Sequence, residues 1–176
     1  KIKKYAQPII AGCVDKNISY YLDERETMSP GFKFNEWEMK GVPLRIEIGM
    51  RDIANKEIVM VRRDTSKKSS YKYNKIIPEI VANLKSIQSN LFQQASNFRD
   101  ENSYTTNNYD EFKNIVNNQG GFIRCYWDGT SKTEALIKKE TNTTIRCILN
   151  EVDKADKKCI YSQLPAKFEV IFSKAY

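Results

Sequence analysis

The residues with the chemistry to hold an anion or read a base lie mostly in the first half of the chain. Arg62, Arg63, Lys67 and Lys68 fall within one short stretch. Their guanidinium and ammonium groups suit phosphate oxygens, and the same cluster is what a solvated hairpin turn carries. Tyr20, Tyr21, Phe32 and Phe34 stand among basic residues, where rings can stack on unpaired bases, although packing is the commoner use of such rings. Two carboxylate pairs, Asp23/Glu24 and Glu36/Glu38, have the groups general acid–base chemistry needs, but on a charged surface they read as solvated. Histidine is absent, which excludes Ser-His-Asp and Cys-His catalysis and His-ligated zinc. The four cysteines, Cys13, Cys125, Cys147 and Cys159, form no C-x-x-C. No phosphate-binding glycine loop, dinucleotide fingerprint, H-E-x-x-H or G-x-S-x-G occurs.

The elements that position these groups follow from periodicity and breakers. Ile18–Leu22 is β-branched and aromatic and reads as a strand. Ser29-Pro30-Gly31 breaks the chain ahead of a short helix, Phe32 to Lys40, stopped by Gly41 and Pro43. Leu44–Ile48 alternates as a half-buried strand with Arg45 and Glu47 on its polar face, and Glu57–Arg62 reads as a more buried one. Apolar residues at three- and four-residue steps from Ile76 to Phe98 predict a long amphipathic helix, with Pro78 in its first turn. Arg99–Asn108 is polar and reads as a linker. Beyond it come a helix (Tyr109–Gln119), a strand (Phe122–Trp127), a helix (Lys132–Glu140), a strand (Thr144–Leu149) and a last strand (Lys167–Phe172). Alternating helices and strands predict an α/β domain followed by a small α+β unit.

Composition sets the background. The 176 residues carry 29 Lys/Arg against 22 Asp/Glu, a net charge of +7. Residues 1–74 hold 15 of the basic and 10 of the acidic residues, so the excess sits in the first half. A sequence pI near 9.1 favours an anionic partner, nucleic acid first. No run approaches ~20 apolar residues, and no apolar signal segment follows Lys1. Dispersed cysteines in a Lys-rich chain read as a reducing, cytoplasmic setting. The first residue is not Met, so the expectation is a piece of a longer chain or a processed one.

The string Ser29-Pro-Gly-Phe-Lys-Phe-Asn-Glu-Trp-Glu-Met-Lys-Gly-Val-Pro-Leu-Arg-Ile-Glu-Ile-Gly49 closely resembles the anticodon-binding domain of prolyl-tRNA synthetases of the eukaryote-like and archaeal-like type. The likeness continues through Arg51-Asp52 and Val61–Thr65, resumes at Leu91-Phe92, Gly121–Arg124 and Glu140–Cys147, and ends at Pro165–Lys167 and Phe172–Tyr176. It implies an anticodon-binding α/β domain with a mixed sheet flanked by helices at 1–74. A long helix and linker would follow at 75–108, and a C-terminal zinc-binding-like α+β domain at 109–176. The resemblance implies a ligase that joins proline to tRNA(Pro) using ATP and Mg, a homodimer in its full-length form. The class II motifs that hold ATP are not among these residues, so the chain alone is expected to be inactive. A free-standing RNA-binding or interaction module is the alternative. Few residues precede Asp23 where the family has a strand and a helix, which leaves the fold of residues 1–20 open.

Site residues follow from the same resemblance. Proline anticodons share two guanines, whose Watson–Crick edge asks for a carboxylate and whose Hoogsteen edge asks for a guanidinium or ammonium. Glu38, Arg45, Arg51, Asp52 and Lys67 match anticodon-contacting positions, and Arg62, Arg63 and Lys68 are candidates for the phosphate backbone. The terminal Tyr176 matches a tyrosine whose carboxylate reaches the catalytic domain. The zinc places of the family fall at Asp128, Thr133, Cys159 and Ser162 (or its neighbour Tyr161), a set too poor in ligands for a closed site, so the domain is expected to fold without metal. Cys125 and Cys147, inside predicted strands, read as buried small hydrophobes.

Overall fold

The computed structural model describes residues 1–152 and 156–174. The chain divides into two compact units, Lys1–Gln94 and Ala95–Tyr176.

The first unit is built on an antiparallel sheet of order β1-β2-β3, with β1 at Leu44–Glu47, β2 at Glu57–Arg62 and β3 at Lys68–Lys72. Leu44, Ile46 and Ile48 alternate onto the apolar face, where Ile58 and Met60 of β2 are buried. Helix α1 (Ile2–Asp15) lays Ile9 and Cys13 on that face, and helix α4 (Ile76–Glu101) lays Ile76 and Ile80 there. The α4 periodicity holds as expected over its first three turns, but Phe92 and Phe98 farther along are exposed. Helix α2 (Pro30–Met39) starts where the breaker predicts: Ser29 Oγ accepts the Phe32 amide at 3.3 Å, and Pro30 occupies the first turn. Helix α3 (Met50–Asn55) is one short turn and a half between β1 and β2.

One expectation changes here. Ile18–Leu22 forms neither helix nor strand and joins no sheet among the described residues, and Tyr20, Tyr21 and Leu22 are exposed. Strand-forming composition does not make a strand without a ladder to join. Conversely β3 reads K-S-S-Y-K, almost wholly polar, and is an edge strand with only alternate residues half-buried. The basic cluster at 62–68 is therefore the tip of the β2–β3 hairpin.

In the second unit the sheet order is β4-β5-β7-β6, formed by Ser103–Thr105, Phe122–Trp127, Phe168–Lys174 and Thr143–Glu151. The parallel pairing that makes a sheet mixed lies here, between β4 and β5; the other pairs are antiparallel. Helices α5 (Tyr109–Asn118) and α6 (Ser131–Thr141) supply Phe112, Ile115, Val116 and Ile137 to a core with Ile123, Cys125, Trp127, Val170 and Phe172. The polar stretch expected to be a linker contains β4, held because Phe122 N donates to Asn102 O at 2.8 Å and Thr106 N to Arg124 O at 3.2 Å. Cys125 is buried as expected, but Cys147 is exposed: β6 is an edge strand, and its register shifts between Ile145 and Cys147. For the same reason its neighbour Ile148 is exposed.

Candidate nucleic-acid interface

The alternation of β1 places Arg45 and Glu47 side by side on the polar face, and the hairpin brings β3 alongside. Arg45 pairs with Val61 across β1–β2, and Val61 with Lys68 across β2–β3. The result is a chain of charges. Arg45 Nη1 donates to Glu38 Oε1 at 2.5 Å and its Nε to Glu47 Oε1 at 3.0 Å, while Lys68 Nζ reaches Glu47 Oε2 at 2.6 Å. The guanidinium also lies 4.1 Å from the centroid of the Phe34 ring. Phe34 and Glu38 lie one helical turn apart on α2, which is why one arginine meets both. Burial alone would raise the Glu47 carboxyl, but the Lys68 and Arg45 donors outweigh it and hold it below the usual carboxylate range. Arg45 keeps 19% of its side chain exposed and Glu38 keeps 46%, so the arginine is pinned while the glutamate faces solvent.

Arg63 joins the edge of this network, its Nε donating to the Glu38 carbonyl at 2.8 Å. Arg51 and Asp52 sit apart on α3. Asp52 Oδ2 accepts the Gly49 amide at 2.7 Å and so caps the helix, whereas Arg51 is exposed and has no ion pair among the described residues. Lys67 is likewise exposed at the hairpin tip. Arg62 is committed elsewhere. Its Nε and Nη2 fork onto Asp64 at 3.0 and 2.7 Å, and its Nη1 donates to Ser86 Oγ at 2.9 Å. The Asp64 side chain is fully buried and also accepts Asn90 Nδ2 at 2.7 Å; the Arg62 fork foremost lowers its carboxyl to about 2.

Sequence reasoning missed Glu47 as part of the site, although the L-R-I-E-I alternation already set it beside Arg45. A second carboxylate centre lies nearby in the first unit. Asp23 takes the fork of Arg25 and the Trp37 indole N–H at 2.9 Å, and Arg25 chiefly holds its carboxyl well below the usual range. This ties the segment before α2 to the helix carrying Phe34 and Glu38. Two pairs read as solvated carboxylates are thus split in role, with Asp23 and Glu36 in ion pairs that hold α2.

In the second unit, Asp128, Thr133 and Ser162 come together: Asp128 Oδ2 accepts Thr133 Oγ1 at 2.7 Å and Ser162 Oγ at 2.6 Å. Cys159 is buried in the apolar core. Tyr176 lies outside the described residues.

Two family descriptions match the chain. Residues 1–83 match an anticodon binding domain, and residues 109–176 match the C-terminal region of prolyl-tRNA synthetase. Among curated proteins the chain is similar to the proline–tRNA ligase of Amoebophilus asiaticus, 45% identical over 99% of the chain and 36% of the relative. It is 42% identical to that of Porphyromonas gingivalis and 41% to that of Flavobacterium psychrophilum, each over 100% of the chain and 36% of the relative. The chain therefore spans just over a third of the length of these relatives. Among the described residues no helix is long and apolar enough to cross a membrane.

Proposed function

The chain belongs to the prolyl-tRNA synthetase family, an anticodon-binding domain followed by the synthetase's C-terminal domain, and from this we propose that it reads the anticodon of tRNA(Pro) within a proline–tRNA ligase. Such an enzyme uses ATP and Mg in its catalytic domain, works in the cytoplasm and pairs as a homodimer.

The observation that carries the reading is the Glu38–Arg45–Glu47–Lys68 chain beside Phe34. It offers both halves of guanine recognition, an exposed carboxylate for N1–H and N2–H and a guanidinium for O6 and N7. Arg45 is oriented before any ligand arrives, because Glu47 and the Phe34 ring fix it from two sides. Glu38, itself nearly half exposed, has only to exchange one partner for another. Arg51 and Lys67, exposed and without an ion pair among the described residues, are suited to phosphate or base contacts. Arg63 and Lys68 keep exposed side chains for the backbone even while hydrogen-bonded. Arg62 is the candidate this geometry supports least.

The test is binding of this chain to tRNA(Pro) and to transcripts with either shared anticodon guanine replaced. Arg45→Ala and Glu38→Gln should each cost ~1–3 kcal/mol of discrimination, roughly 5- to 150-fold, at one guanine. Asp52→Ala should cost a similar amount, with an added loss of the α3 cap. Equal binding of cognate and substituted transcripts by the wild-type chain, or unchanged discrimination in all three variants, would refute the assignment.

A further inference from the structure

The resemblance implies zinc in the second unit, and the residues at its four places do not suit that ion. Zinc takes four thiolate, imidazole or carboxylate ligands in a tetrahedron. Here the places hold one carboxylate, two hydroxyls and one thiol, and the thiol of Cys159 lies in the apolar core beside Cys125. Among the described residues no three Cys, Asp or Glu side chains gather as a metal group.

What stands there instead is complete in itself. Asp128 is 4% exposed and accepts four hydrogen bonds. Its Oδ1 takes the Thr130 amide and hydroxyl, both at 2.9 Å, and its Oδ2 takes the Thr133 and Ser162 hydroxyls. A cation ringed by electron-pair donors is replaced by an anion ringed by protons. Three of the four donors belong to the first turn of α6 and its N-cap Thr130, so the carboxylate also sits where the helix dipole favours negative charge. The fourth donor, Ser162, comes from the loop between β6 and β7.

A second carboxylate holds the neighbouring residue of that loop. Tyr161 OH donates to Glu140 Oε1 at 2.8 Å, and Tyr109 OH donates to Glu140 Oε2 at 2.9 Å, the two rings meeting edge-on at 4.9 Å. Consecutive loop residues are thus tied to opposite ends of α6. Backbone bonds complete the seat: Ile160 N donates to Tyr126 O at 2.9 Å and Cys159 N to Leu164 O at 2.8 Å.

We infer that the 156–166 loop is closed by a metal-independent clamp, with the Asp128 carboxylate as its hub and Glu140 as its second anchor. The clamp acts on the second unit alone and stands or falls apart from anticodon reading.

The test combines zinc content by mass spectrometry, melting of the chain with and without a chelator, and amide exchange in the 156–166 loop. The wild-type chain should carry well under one zinc and melt at the same temperature after chelation. Ser162→Ala should speed exchange of loop amides roughly 3- to 10-fold, the scale of one hydrogen bond. Asp128→Asn should speed it further and lower the second unit's melting midpoint by about 5–15 °C. Adding Ser162→Ala to Asp128→Asn should then change little, because the hub is already lost. If Asp128→Asn fails to fold, that result agrees with the clamp, and Ser162→Ala and Tyr161→Phe supply the graded readings. One zinc per chain with a chelator-sensitive midpoint would overturn the inference. So would wild-type loop exchange in Asp128→Asn, or additive effects of the two substitutions.

Discussion

Arg62 and Arg45 are two arginines on neighbouring strands with opposite fates, and replacing Arg62 by alanine tests that division. Its fork is the foremost reason the buried Asp64 carboxyl lies at about 2 rather than 3.8. That difference amounts to roughly 2 kcal/mol of preference for the ionised carboxylate in the folded chain. Arg62 keeps 18% of its side chain exposed, so solvent screening leaves on the order of 1–2 kcal/mol to be lost when it is removed. Asn90 would remain as a neutral donor to the stranded carboxylate.

The sign with pH is fixed. A carboxyl lowered by folding adds stability above its unfolded value, and that stability drains away as pH falls through the folded value. The gap between wild type and Arg62→Ala should be full above pH 4 and close toward pH 2. Urea titrations followed by amide exchange in β2 and β3 would report the first unit by itself. Affinity for tRNA(Pro) at neutral pH should fall little. A variant as stable as wild type that binds tRNA tenfold more weakly would return Arg62 to the interface and refute this reasoning.

Other consequences are checked more quickly. Gly121 has φ +87°, and a Cβ there would come 2.4 Å from the Asn102 carbonyl oxygen, so Gly121→Ala should destabilise the second unit by about 2–4 kcal/mol in thermal unfolding. Gly120→Ala, with φ +72° and open space around it, should cost only about 1 kcal/mol. Burial first, then the bond to Glu140, pushes the Tyr109 hydroxyl up beyond its ordinary value of 10, and Glu140 raises Tyr161. Because both are raised on folding, their contribution is present below pH 10 and is lost as pH climbs, and an ultraviolet titration should show both ionising late, together with Tyr5, which burial also raises. In Glu140→Gln that lag should shrink. Finally, a thiol reagent should modify Cys147 rapidly in the native chain, and Cys13, Cys125 and Cys159 only after unfolding, as peptide mass mapping would show.

The elements legible in the sequence are those whose own residues carry the reason for their form. Phe122–Trp127, rich in aromatic and β-branched residues, is a strand over those residues, and Ser29-Pro30 starts α2 where a cap and a first-turn proline must. What escaped depends on a partner distant in sequence. The polar β3 exists because β2 offers it a ladder, while Ile18–Leu22, far richer in strand formers, has none among the described residues. Cys147 and Ile148 turn outward through a register shift set by β7. The site divides similarly. Arg45 and Glu47 were readable as neighbours from period two alone. That Arg62 bends back to Asp64 instead of facing outward requires the hairpin turn and α4 together, and no motif announces it.

The difference between the two arginines bears on how recognition can be built from groups that already have partners. Exchanging the carboxylate on Arg62 would leave a fully buried Asp64 with Asn90 as a neutral donor, at the same cost on the order of 1–2 kcal/mol as removing Arg62. Exchanging Glu38 on Arg45 strands nothing, because Glu38 is nearly half exposed and water can take over its oxygens. Exposed pairs of this kind contribute about 0–1 kcal/mol to stability, so little is lost when a base displaces one. Meanwhile Glu47 and the Phe34 ring hold the guanidinium in place whether or not Glu38 is there. Arg45 is therefore a fixed donor with one replaceable partner, which is what discrimination between base edges demands. On this argument Glu47→Gln, which touches no base, should weaken discrimination by loosening Arg45, and Arg45→Lys should not restore it, since an ammonium cannot span two acceptors at fixed spacing. Guanine discrimination equal to wild type in Glu47→Gln, measured with the same substituted transcripts, would show that Arg45 does not need its second anchor.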